Sequence, residues 1–214
     1  MKSLRVFNEQ LSEAEKHLID SLQSPFQIQV FLDDIPYPSG DENRSVLQVL
    51  RQRKAHCLDG GLFAAAALHR LGHPALIMDM QPEPGRDDDH VLALYKHRTC
   101  WGAVAKSNYS GLRFREPIFR TLRELVLSYF EDFFNTKGEK TLRSYSRPIN
   151  LARFDHLNWM TEPQGVDRIE DYLKTIKVTL LLNDEQINQL SPVDRRSFEA
   201  GTLGINHEGA FKPS

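Results

Sequence analysis

The sequence predicts an α+β fold in which a single buried helix packs on an antiparallel sheet. Three observations carry this. The run CLDGGLFAAAALHRL, residues 57–71, is apolar on nearly every side, as a helix surrounded by neighbours must be. Three β-like runs, 75–81, 90–95 and 100–106, follow it and are separated by turn-forming residues. Capping-box patterns then punctuate the stretch ahead of the buried helix.

Taken in order, Ser12 with Glu15 forms a capping box before Leu18, Ile19 and Leu22, which predicts a helix ending before Pro25. Residues 26–32 alternate like a strand, and 36–42 are turn-rich. Ser45 with Gln48 repeats the capping box ahead of Val46, Val49 and Leu50, so a short helix delivers the chain to Cys57. Gly72 and Pro74 stop the buried helix. An acidic loop, 82–89, and a short turn divide the meander. Pro117 stands where a helix is expected to begin, with Ile118, Leu122, Leu125, Val126, Tyr129, Phe130 and Phe133 at helical spacing. Val166, Ile169, Tyr172, Leu173 and Ile176 predict another helix, 178–182 a strand, and the residues from Ser191 a loose tail. The organisation expected is one domain over 1–214, with its core at about 26–135 and an accessory segment at about 161–214.

The formal net charge of -2 offers no field to attract a phosphate backbone, so nucleic acid is not an expected partner. No charge-free stretch reaches the ~18 residues of a membrane span, and the first residues lack a signal-peptide core. A cytoplasmic protein without membrane partners is expected. Two cysteines, Cys57 and Cys100, suit a reducing compartment, a single bridge between them being the alternative.

The chemistry centres on Cys57. A helix N-terminus lowers a thiol pKa and presents backbone N–H groups that can hold an oxyanion. Arg51, Arg53 and Lys54 add cations just ahead of it. His90, opening a strand, is placed to serve as general base. A hairpin turning at residues 97–99 brings His90 near Lys106, with Asn108 on the same face as acceptor for the ring and Ser107 behind it. Asp89 is expected on the opposite face from His90, and Asp59 at the helix dipole. The competing readings are a structural cysteine packed as a small hydrophobe, and a zinc site of His56, Cys57 and His90 with Asp87, Asp88 or Asp89.

The pieces Cys57-Leu58-Asp59-Gly60, Leu71-Gly72-His73-Pro74-Ala75, His90-Val91-Leu92-Ala93-Leu94 and Trp101-Gly102-Ala103-Val104 resemble, in that order, the transglutaminase-like superfamily, whose core is the papain-like α+β proteinase fold. They cover about a quarter of the chain. The aspartate that usually follows the Trp-led strand is replaced by Ala105-Lys106-Ser107-Asn108. The resemblance implies a cysteine-dependent acyl-transfer enzyme, an amide or peptide hydrolase or a transamidase. It would use a Cys57-His90 dyad or a Cys57-His90-Asn108 triad on a peptide, protein or small amide or ester, and would need no cofactor. The other class is a catalytically silent module that binds a peptide or protein in the same groove.

Overall fold

The computed structural model describes residues 1–40 and 42–213; Asp41, within the turn-rich stretch, and Ser214 lie outside them. Four helices precede the buried one: α1 (Lys2–Gln10), α2 (Glu13–Ser21), α3 (Pro25–Asp33) and α4 (Val46–Gln52). The helix α5 (Cys57–Arg70) leads into β1 (Leu76–Pro82), β2 (His90–His97), β3 (Cys100–Val104) and β4 (Arg115–Phe119). After α6 (Leu122–Leu127) come β5 (Leu142–Ser146), β6 (Ile149–Asn150), α7 (Pro163–Leu173), β7 (Val178–Leu180), α8 (Asp184–Asn188) and α9 (Arg195–Gly201). The sheet runs β4-β3-β2-β1-β5-β7, with β6 also paired to β1, and all its pairings are antiparallel. The expected α+β architecture, a helix beginning at Cys57 laid on an antiparallel sheet, is present.

Both capping boxes form, Ser12 with Glu15 on α2 and Ser45 with Gln48 on α4. Residues 26–32 are helix rather than strand. Ser24 caps the backbone of Gln27 and Pro25 occupies the first turn, a start signal that outweighs the short apolar alternation. The helix expected from Pro117 is divided. Residues 115–119 pair with β3 as an edge strand, where proline needs no ladder partner, and Thr121 with Glu124 caps a shorter helix behind it. The residues from Ser191 are not loose: α9 seats Phe198 5.5 Å, centroid to centroid, from the buried Phe134.

The pleat of the sheet separates two apolar cores. Ile77, Val91, Ala93, Tyr95 and Val104 face α5 and the first four helices. Met78, Met80, Leu92, Leu94 and Ala103 face the other way, against Tyr129, Phe133 and Phe134. Close approach of α5 to the sheet requires glycine. A Cβ on Gly60 would lie 2.2 Å from Lys106 Cβ, and one on Gly61 2.8 Å from Val91 Cγ1.

Candidate functional site

The start of α5 is fixed by a buried charged network. Asp59, fully buried in the first turn, accepts the backbone N–H of Arg44 at 2.8 Å and that of His56 at 3.4 Å. Its second oxygen lies 3.4 Å from the Arg44 guanidinium and 3.1 Å from Nδ1 of His56. An arginine only donates, so its contact at 3.3 Å with Nε2 of His56 makes that nitrogen the acceptor and puts the ring proton on Nδ1, facing Asp59. Burial raises the Asp59 pKa, opposed by His56 and Arg44. Asp59 thus anchors the helix through side chains as well as through the dipole expected from sequence.

Cys57 is half-buried at the floor of a cleft of about 500 Å³ whose walls include Tyr37, Asp88, Asp89 and Glu170. Its Sγ lies 3.7 Å from the carbonyl oxygen of Asp89. Burial pushes the thiol pKa well up, the charge of Asp89 adds to this, and the Val91 N–H opposes it. The cations ahead of Cys57 do not reach it: Arg51 pairs with Glu15 at 2.8 Å, and Arg53 lies over the Phe31 ring. Carboxylates surround the thiol instead. Tyr37 lines the same cleft, and burial raises the pKa of its hydroxyl, with the thiol and Asp88 adding to the effect. No motif announces Tyr37 as part of this cleft.

His90 occupies the other face of the sheet. It pairs with Met80 in register, lies edge-on to Phe133 at 6.4 Å, and is buried. A carbonyl only accepts, so Nε2–H donates to the Leu112 oxygen at 2.7 Å and Nδ1 is the basic nitrogen. Burial lowers the ring pKa to about 4. The faces of Asp89 and His90 alternate as expected but the assignment is reversed: Asp89, not His90, shares the cleft with Cys57, so the base expected from sequence does not face the thiol. Desolvation there, with Asp88 and Glu170 nearby, raises the Asp89 pKa.

His90 and Asn108 line one small cavity of about 40 Å³, walled from the Cys57 cleft by Tyr37, Asp88, Asp89 and residues 209–211, which border both spaces. The acceptor holding the His90 ring is the Leu112 carbonyl, a backbone atom that side-chain motifs do not reveal. The Asn108 amide is engaged by Asn206: Nδ2–H donates to its carbonyl at 2.9 Å, and the Asn206 N–H donates to Oδ1 at 2.8 Å. Ser107 accepts the Tyr109 N–H at 3.0 Å. The hairpin turn is one residue shorter than expected because Arg98 takes a left-handed conformation, φ 54°, pairing Ala93 with Val104. Lys106 points away from the site and donates to the Leu32 carbonyl at 2.8 Å and to that of Ile35. Burial brings its pKa down to about 8.

Cys57 and Cys100 are both free thiols. Among the described residues no group of three or more His, Cys, Asp and Glu side chains is arranged to hold a metal ion, and no helix is long and apolar enough to cross a membrane.

No family model and no curated protein matches the chain. Two solved structures of LapG from Legionella pneumophila are similar at a low level. The EGTA-treated form is 16% identical, with a TM-score of 0.35, over 50% of this chain and 68% of LapG. The other is 14% identical, with a TM-score of 0.35, over 59% of this chain and 93% of LapG. Likeness at that level carries no function across, so the chemistry of this chain rests on its own side chains.

Proposed function

We propose that the protein is a cysteine-dependent acyl-transfer enzyme, an amide or peptide hydrolase or a transamidase, with Cys57 as nucleophile and His90 as its base. The observation that carries the reading is Cys57 at the first position of a rigidly anchored helix, at the floor of an open cleft. The helix N-terminus supplies backbone N–H donors for the charge that develops on a carbonyl oxygen under attack. His90 sits on the opposite face of β2 from α5, with Nε2–H committed to Leu112 and burial keeping the ring neutral, so it serves Cys57 only once the two spaces join. The resemblance of four sequence pieces to the transglutaminase-like superfamily supports the same assignment. With the thiol protonated and walled from His90, the described arrangement is a resting one. Catalysis requires the Cys57 cleft to join the His90 cavity.

The test is an acyl-type cysteine probe, such as a peptidyl acyloxymethyl ketone, with the labelled residue identified by mass spectrometry. Labelling is expected at Cys57 and should fall at least tenfold on His90→Ala. Equal labelling of the two proteins would overturn the enzyme assignment. It would favour the second reading, a silent binding module, which the raised thiol and its carboxylate surroundings support.

A further inference from the structure

The segment 206–211 ends over the border between the Cys57 cleft and the His90 cavity: 208–211 line the first and 209–211 the second. Its attachment has a specific chemistry. The Asn108 side-chain amide reads both polar groups of one peptide residue, accepting the N–H of Asn206 at 2.8 Å and donating to its C=O at 2.9 Å. This pairing takes a residue by its backbone and is indifferent to its side chain. The Asn206 Nδ2–H donates to the Tyr37 carbonyl at 2.9 Å, tying the segment to a residue that lines the Cys57 cleft. Gly209 comes so near the chain at Pro38 that an added Cβ would lie 2.6 Å from the Pro38 oxygen. Three contacts therefore hold this segment, which makes one 3-10 turn at His207–Gly209, beside the two spaces. Glu208, by contrast, adds a carboxylate to a cleft already walled by Asp88, Asp89 and Glu170, so charge works against its retention.

We propose that this groove is a polypeptide-binding site with Asn108 as its backbone clamp, and that residues 206–211 are its intramolecular occupant. The inference rests on the proposed function only for its name as a substrate groove, and it makes the substrate class a polypeptide rather than a small amide. Tethered in the same chain, the occupant acts at an effective concentration of about a millimolar, enough to exclude a free peptide at micromolar levels.

The experiment uses a fluorescent peptide of sequence LGINHEGAFKP, that of residues 203–213, added to the full-length chain and followed by anisotropy. Two release variants are compared with the unaltered protein. Gly209→Val forces the segment off the Pro38 oxygen. Asn206→Pro removes the N–H given to Asn108 at a φ of -82°, which proline accepts. Hydrogen exchange over 206–211 identifies which folded variant has released the segment. A released variant is expected to bind the peptide at least tenfold more tightly than the unaltered protein, and adding Asn108→Ala should remove at least tenfold of that affinity. A released variant that binds no better, or whose binding ignores Asn108→Ala, overturns the proposal. So does exchange over 206–211 as slow as that of β2 in both variants, since a segment that stays fixed without its anchors is part of the core. Loss of the acyl-transfer assignment would show instead as His90-independent labelling of Cys57, with peptide binding unchanged.

Discussion

His90 and Leu112, 22 residues apart in the chain, are joined by a hydrogen bond of 2.7 Å that fixes the ring tautomer, while burial keeps the imidazole neutral against the pull of that carbonyl. The buried ring titrates at about 4, below the usual 6.5. Its folded pKa is depressed, so its neutral form contributes stability in full above about 6.5, and this is lost as pH falls toward 4, where the unfolded chain takes up the proton first. Relative to His90→Gln, which retains an N–H for Leu112, the protein should lose about 3 kcal/mol between pH 7 and pH 4. Urea unfolding at successive pH values measures the difference, and parallel curves would contradict the assignment.

Gly60→Ala should destabilise the fold by about 3 kcal/mol, because the new methyl would meet Lys106 Cβ at 2.2 Å and push α5 off the exit of β3. Thermal unfolding reports the loss. An unchanged midpoint would mean that helix and strand separate more easily than their packing implies.

Asp59→Ala should cost about 2–4 kcal/mol, since it leaves two backbone N–H donors without their acceptor and takes one partner from the buried Arg44 guanidinium, which keeps Glu42 and Gln52. Asp59→Asn retains an acceptor and should cost less. The order of the two variants in denaturant midpoint is the check.

Asp89→Asn removes the charge that, after burial, most raises the Cys57 thiol pKa. Alkylation of Cys57 by iodoacetamide at pH 8 should then accelerate by roughly threefold or more. A rate unchanged by the substitution would show that burial alone holds the thiol protonated.

The central layer of the fold was readable in sequence because its signals are local. Cys57 to Arg70 is apolar all round, the three meander strands are bounded by turns, and Ser12 and Ser45 announce their helices. Where two local signals compete, tertiary context decides. The alternation after Pro25 is overruled by the Ser24 cap, and the helical spacing after Pro117 is overruled by the pairing of Trp101 with Phe119. The site was legible only in part. The faces of Asp89 and His90 follow from strand alternation, but which face α5 covers does not. Tyr37, the Leu112 carbonyl and the segment at Asn206 reach the site from sequence-distant loops, and one of the three acts through a backbone atom that any residue supplies.

The first six residues of β2 are buried and serve the two cores alternately. Such a strand is a party wall: neither room can be emptied while it stands. Opening of the α5 side and opening of the Phe133 side should therefore coincide, with amides on both faces of β2 exchanging at one common rate. A motion that exposes Cys57 without unfolding the chain has to come from the loops that border this strand.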